Sequence, residues 1–148
     1  MRTLVLWSAF ICLLGAASIV PVARAANDTP KVPVPDLTSV RAEIKAKQYD
    51  AALAELKVLV VNYQTADVYS LLGHATWKTG DWRQGMTYYD KALAIDPSHK
   101  GALEYQGELY IELGQLDLAK QSLAKLNHLC WFGCEEADQL KAALEHAP

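Results

Sequence analysis

The 148-residue sequence has no excess of positive charge, because its 14 Lys and Arg residues are outnumbered by 17 Asp and Glu residues, for a formal net charge of −3. This balance argues against a nucleic-acid-binding protein that works by neutralising phosphates. The sequence also lacks a glycine-rich phosphate loop, a His-Glu-x-x-His motif and any recognisable nucleophile–base spacing. We therefore expect neither an enzyme nor a cofactor. Wholesale disorder is excluded, because 51% of the residues are hydrophobic and 21% are charged.

Residues 1–25 have the pattern of a cleaved secretory signal peptide. Arg2 gives a positive start, residues 4–20 are almost entirely apolar, Pro21 ends the run, and residues 23–25 form the small-x-small sequence Ala-Arg-Ala. The alternative is a retained membrane anchor, but the apolar run is about seventeen residues, the lower edge of the length that spans a bilayer. We predict cleavage, a periplasmic location and no stable membrane insertion of the mature chain, which has no other long apolar run.

The mature chain begins with a proline-rich stretch and continues with a longer region of helical periodicity. Residues 26–35 contain Pro30, Pro33 and Pro35, and each proline removes a backbone donor and favours extended geometry before it, so this stretch is predicted to be a tether. From residue 36 to residue 148 there is no alternation typical of strands. Apolar residues instead recur at spacings of three and four, which predicts an all-α domain over residues 36–148.

Four glycines recur at a spacing of 34 residues: Gly73 is followed by Gly107, and Gly80 by Gly114. Helix pairs joined by tight turns with a 34-residue period are typical of tetratricopeptide repeats. Residues 66–97 resemble a member of that family at its patterned positions, which hold Tyr69, Leu72, Gly73, Thr76, Gly85, Tyr89, Ala92 and Pro97. Thr76 departs from the pattern by replacing an aromatic residue, and Gly85 by replacing alanine.

Weaker copies flank this repeat. Residues 100–131 carry one, and residues 33–65 carry a degenerate one whose spacing is a residue short. The resemblance implies a short α-solenoid of about three helix pairs, because one pair cannot bury its apolar face alone. Residues 135–146 are expected to form a C-terminal capping helix, for a total of about seven helices. The alternative is an irregular helical bundle in which the phased glycines are coincidental.

The resemblance also implies a concave groove that holds a segment of a partner protein and is lined by the first helix of each pair. The matching positions are Arg41, Lys45, Asp67, Ser70, His74, Trp77, Lys78, Glu104, Glu108 and Glu112. We expect a basic end, an acidic end and, at the centre, Trp77 as an aromatic anchor for a dipolar partner segment. The alternatives are that the glutamates are only solvated and that Trp77 packs against Trp82 across the turn at Gly80.

Two cysteines remain after cleavage of the leader, which contains Cys12. Cys130 and Cys134 flank the sequence Trp-Phe-Gly, and a turn at Gly133 is expected to bring their sulfur atoms together. We predict a structural disulfide that staples the last pair to the capping helix. Two alternatives stay open: a soft metal ion held by His128, Cys130 and Cys134, and a redox pair, which the neighbouring glutamates disfavour.

These features together predict a non-catalytic periplasmic adaptor. It would bind a protein or peptide partner in the groove and assist the assembly of an exported complex, with no nucleic acid involved. The alternative is a periplasmic protein that handles a metal or cofactor through the Cys-x3-Cys segment. The sequence predicts neither the identity of the partner nor an oligomeric state.

Overall fold

The computed structural model describes residues 34–148, which form seven α-helices and no strand. The helices are α1 (Thr38–Lys45), α2 (Tyr49–Asn62), α3 (Ala66–Lys78), α4 (Trp82–Ile95), α5 (Lys100–Glu112), α6 (Leu116–Leu129) and α7 (Glu135–Glu145). The predicted all-α fold is confirmed. The predicted signal peptide and nearly all of the predicted tether lie outside the described residues. Within those residues, no helix has the length and apolarity needed to cross a membrane.

Consecutive helices pair as α1 with α2, α3 with α4 and α5 with α6, and α7 packs against both α5 and α6. The first helices of neighbouring pairs also meet, because α3 contacts α5 and α5 in turn contacts α7. This is the arrangement of a short helical solenoid, in which each hairpin covers the apolar face of the next. The predicted architecture of three pairs and a terminal helix is therefore correct.

The turn inside each pair has the same backbone structure. Gly80 and Gly114 have positive φ angles of 107° and 70°, and nothing lies within 4 Å of where a Cβ would be. Lys47 has the equivalent place in the first pair, with φ at 58°. In all three turns the next N–H donates to the carbonyl oxygen five residues earlier: Gln48 to Glu43 at 2.8 Å, Asp81 to Thr76 at 3.1 Å and Gln115 to Tyr110 at 2.8 Å. These are Schellman caps, so the repeat seen in the sequence is also a repeat of backbone structure.

The first helices of the second and third pairs, α3 and α5, begin with matching caps at positions 34 residues apart. The Thr65 hydroxyl accepts a hydrogen bond from the Val68 N–H at 3.3 Å, at the start of α3. The residue 34 positions later, His99, accepts one through Nδ1 from the Ala102 N–H at 3.0 Å, at the start of α5. Each side chain satisfies a backbone donor that the first turn of a helix leaves free.

The phased glycines allow large side chains of neighbouring helices to approach the backbone. A Cβ on Gly73 would lie 2.5 Å from the ring carbon Cε1 of Tyr89 in α4, which is fully buried. A Cβ on Gly107 would lie 2.5 Å from Cδ2 of Leu140 in α7, also fully buried. Both glycines therefore have the same role, although Gly73 receives its own pair's second helix and Gly107 receives the terminal helix.

Candidate functional site

A cleft of about 510 Å³ opens on the face formed by the first helices and by α7. Its lining comes from α1, α3, α5, α7 and the turn before α5: Arg41, Asp67, Ser70, Leu71, Asp96, Ser98, His99, Lys100, Gly101, Glu104, Tyr105, Glu135, Glu136 and Gln139. Four residues predicted from the sequence belong to it, namely Arg41, Asp67, Ser70 and Glu104. The cleft therefore lies on the face where the predicted groove was expected.

The rim of the cleft on the α1 side is held by a polar bridge. Arg41 Nη2 donates to Asp67 Oδ1 at 2.9 Å, and His99 Nε2 lies 3.4 Å from the same oxygen. His99 Nδ1 already accepts the Ala102 N–H, so Nε2 is the protonated nitrogen and donates to Asp67. This bridge connects α1, α3 and the start of α5. The positive charge of Arg41 is paired with the Asp67 carboxylate.

The floor of the cleft contains two buried polar side chains, one of which has no hydrogen-bond partner among the described residues. Ser70 is 1% exposed, and its hydroxyl oxygen makes no hydrogen bond. Glu104 is 4% exposed and lines the cleft, but its carboxyl oxygens are not among the fully buried atoms that lack a partner. Burial, reinforced by the charges of Glu108, Glu136 and Glu135, raises the pKa of Glu104 from 4.5 to about 8. Buried polar groups of this kind are costly in a folded protein and are concentrated at functional sites.

His74 packs inside an aromatic cluster and does not face the cleft. Its ring centroid is 4.2 Å from that of Tyr105, 5.7 Å from that of Tyr49 and 5.7 Å from that of Trp77. Burial, and then the charge of Lys78, lowers the pKa of His74 from 6.5 to about 4, so the ring is neutral at pH 7. His74 was predicted to lie at the centre of the groove, but it is a packing residue of the aromatic cluster.

These opposite pKa shifts predict how stability changes with pH. Between pH 4 and 6.5 the unfolded chain binds a proton on His74 that the folded chain does not, so stability falls as pH falls. Between pH 4.5 and 8 the folded chain holds a proton on Glu104 that the unfolded chain releases, so stability falls as pH rises. The two slopes oppose each other up to pH 6.5, and above that, of these two groups, only Glu104 contributes; burial raises the pKa of Glu108 as well, which acts in the same direction.

We therefore expect urea unfolding to show a loss of up to about 1 kcal/mol per pH unit between pH 6.5 and 8. The Glu104→Gln substitution should flatten this slope, because glutamine does not titrate. The exposed Glu145 in α7 offers a matched control, and Glu145→Gln should leave the slope unchanged. An equal slope in wild type and Glu104→Gln would show that Glu104 is not the titrating group.

Trp77 is not the exposed anchor expected from the sequence. It is 5% exposed and packs against Tyr89 and Leu109, with Trp82 at the edge of the same cluster. Its indole Nε1 donates to Glu112 Oε2 at 2.9 Å. The position faces inward because α4 approaches closely: a Cβ on Gly85 would lie 3.0 Å from Trp77 Cβ. The alternative interpretation, in which Trp77 packs near Trp82, is correct.

The predicted separation into a basic end and an acidic end is also wrong. Lys78 Nζ lies 3.3 Å from the centroid of the Trp77 ring, on the residue that also binds Glu112. The charges of Glu108 and Glu112 act on the same ammonium group. Lys45, at the end of α1, is exposed and does not line the cleft. Predicted basic and acidic residues are therefore neighbours.

Three cleft residues on α7 were missed by the sequence analysis, namely Glu135, Glu136 and Gln139. From the sequence, α7 was expected only to cap the last helix pair. The signal was available, because the 34-residue step that relates Asp67 to Gly101 continues to Glu135. The terminal helix therefore takes the position that the first helix of a fourth pair would have.

Cys130 and Cys134 lie at the end of α6 and the start of α7, with their sulfur atoms in contact and their Cα atoms 5.6 Å apart. This Cα separation is typical of a disulfide. Gly133, with φ at 90°, makes the turn that the sequence predicted. Within the described residues no cluster of three His, Cys, Asp or Glu side chains is suited to a metal ion, so His128 and the two cysteines do not form the alternative ligand set. The disulfide itself stays a prediction that thiol counting tests.

The chain resembles known proteins in sequence and in fold. Residues 66–99 match the family model of the tetratricopeptide repeat. Among solved structures, the fold is similar to that of PcrH in a crystal structure of its complex with the chaperone-binding region of PopD. The TM-score is 0.61 at 19% identity, over 74% of this chain and 85% of the PcrH chain. No curated protein matches the sequence.

Nested helix pairs, identical turn caps and an open concave face define an α-helical repeat protein. The family match covers residues 66–99, the repeat with the clearest sequence pattern. Those residues match a tetratricopeptide repeat, and they lie within a short helical solenoid.

Proposed function

We propose that this protein is a non-catalytic adaptor that holds a segment of a partner protein along the cleft formed by α1, α3, α5 and α7. The observation that carries the proposal is the cleft floor, where the Ser70 hydroxyl is buried without a hydrogen-bond partner among the described residues and the Glu104 carboxyl group is 4% exposed. A bound segment would supply the hydrogen bonds and charge that these groups lack. The aromatic and apolar side chains behind them are packed, so the floor is pre-organised for a ligand.

The comparisons support a protein segment as the ligand. PcrH, which shares this fold, was crystallised with a region of another protein, PopD. Helical repeat arrays provide extended concave surfaces suited to such segments. The cleft residues offer charged and amide groups but no arrangement of nucleophile and base, which favours binding over catalysis.

We further propose that the protein works in the periplasm and assists the assembly of an exported complex. The signal-peptide pattern of residues 1–25 supports the location. The proximity of Cys130 and Cys134 supports it independently, because disulfides persist in oxidising compartments. N-terminal sequencing of the mature protein from a periplasmic fraction tests the location directly.

Site-specific photo-crosslinking in cells tests the binding face. A photoreactive amino acid is placed at Lys100 or Gln139, two exposed residues that line the cleft, and as a matched control at Arg83 in α4 or Lys120 in α6, which are exposed outside it. We expect one partner protein, identified by mass spectrometry, to be crosslinked from the cleft positions and not from the controls. Crosslinks that form only from the control positions would contradict the proposal.

A further inference from the structure

The cleft is most negative between α5 and α7. Glu104 lies in its floor, and Glu135 and Glu136 at the start of α7 line the same cleft. The charges of Glu135 and Glu136 both act on Glu104, and so does that of Glu108, one turn further along α5. Arg41, a cationic residue of the lining, is already bound to Asp67. Lys100, the other cationic residue of the lining, forms no ion pair with Glu104, so within the described residues the carboxyl group has no counter-ion.

A second buried group points into the same space. Ser70 in α3 is 99% buried, has a hydroxyl oxygen with no hydrogen-bond partner among the described residues, and lines the cleft. Gly101 lies beside it, and a Cβ at that position would be 3.8 Å from Ser70 Oγ. Because glycine has no side chain, it leaves room for about one atom beside the hydroxyl, which is otherwise closed to solvent. Ser70 offers an acceptor, and Glu104 offers a carboxyl group that becomes a carboxylate once a cation stabilises its ionised form.

We propose that this pocket binds a lysine or arginine side chain of the partner segment, with Glu104 as its buried counter-ion and Ser70 as a further acceptor. The inference rests on the proposed function and specifies the chemistry of the segment. The aromatic ring of Tyr105, which lines the cleft and packs at a tilt against His74 with centroids 4.2 Å apart, adds a surface suited to a cation. Glu135 and Glu136 would attract the cation to the mouth of the pocket.

The chemistry of the pocket favours an organic cation over a metal ion. No group of three carboxylate, histidine or cysteine side chains with metal-binding geometry occurs in residues 34–148. An ammonium or guanidinium group needs only one buried carboxylate and a few neutral acceptors, because it donates several hydrogen bonds itself. A bound cation would favour the ionised form of Glu104, which burial otherwise disfavours, so Glu104 would release its proton when the cation binds.

Selection from a random 12-residue peptide library displayed on phage tests the inference with a defined probe. The library is selected against the full-length mature protein and against its Glu104→Gln variant. Binders are then synthesised with the recurring basic residue or with norleucine in its place, and their dissociation constants are measured. We expect the norleucine exchange to weaken binding to the wild type by about tenfold or more, as for a charge-assisted hydrogen bond. The same exchange should have little effect on Glu104→Gln.

The exposed Glu145 in α7 again supplies the control, and Glu145→Gln should bind the peptides as the wild type does. Circular dichroism confirms that the variants fold, which is expected because glutamine at position 104 carries no charge to bury. Binders without a recurring basic residue, or with equal losses in both proteins, would overturn the inference and leave the adaptor function intact. If no selected peptide competes with crosslinking from Lys100, the inference fails, whereas the crosslink itself still supports the proposed function.

Discussion

Replacing Trp77 with alanine is expected to lower the free energy of unfolding by about 3–5 kcal/mol, as truncation of a buried aromatic side chain usually does. The indole is 5% exposed and fills the space between Tyr89 of α4 and Leu109 of α5, so its removal leaves a cavity where two helix pairs meet. Urea unfolding followed by circular dichroism measures the loss. A well-packed neighbour cannot move into the space without disturbing α4, since Gly85 already approaches the Trp77 backbone.

The matched variant is Trp77→Phe, which keeps an aromatic ring but removes the hydrogen bond from Nε1 to Glu112. We expect a smaller loss, of which about 1 kcal/mol comes from that half-exposed bond. If Trp77→Ala proves as stable as the wild type and instead loses the partner, the residue is a binding anchor and its packed position is incorrect.

Replacing Gly73 with alanine is expected to destabilise the protein by about 1–3 kcal/mol, although alanine is the better helix former. The new Cβ would lie 2.5 Å and 2.7 Å from two ring carbons of Tyr89 and 3.1 Å from the Gly85 carbonyl oxygen. Neither neighbour moves easily, because the ring is fully buried and the carbonyl belongs to the backbone of α4. Thermal and urea unfolding measure the change.

Gly101→Ala in α5 is the control for this experiment. A Cβ at that position would meet its nearest atom, His99 Cε1, at 3.6 Å, an ordinary contact. Alanine there should leave stability unchanged or raise it slightly through helix propensity. Equal effects at positions 73 and 101 would mean that the close approach of α3 and α4 does not depend on glycine.

The fold was predictable because the residues that end its helices and form its turns are recognisable from the local sequence. Gly80 and Gly114 stand where the chain needs a positive φ angle, and their spacing identified the repeat. The first turn lacked this signal, because Lys47 adopts the same backbone conformation without being glycine. Its equivalence to the other turns rests on the hydrogen bond from the following N–H, which only the three-dimensional structure shows.

The site was predictable only in part, because helical spacing does not tell an open face from a covered one. Ser70, His74 and Trp77 lie along one face of α3, and the sequence assigned all three to the groove. The structure leaves Ser70 on the cleft floor, whereas Tyr105 covers His74 and α5 covers Trp77. Which neighbour covers which residue depends on contacts between pairs, and these contacts have no short-range signature in the sequence.

The contribution of α7 was missed for a related reason. Its amphipathic pattern predicted a helix that covers the last pair, and Leu140 does pack on Gly107 in that way. The opposite side of the same first turn places Glu135 and Glu136 in the cleft. A helix that ends a repeat array is therefore able to cover the core with one face and extend the groove with another.

The proposed adaptor function requires a partner segment that lies across the face of α1, α3, α5 and α7. Crosslinking from paired positions measures this most directly. The predicted result is a single adduct of the same mass from Lys100 and from Gln139, reduced by an excess of a selected peptide and absent from Arg83 and Lys120. An adduct from Arg83 or Lys120 at equal yield, unaffected by the peptide, would place the partner segment on another surface and contradict the account.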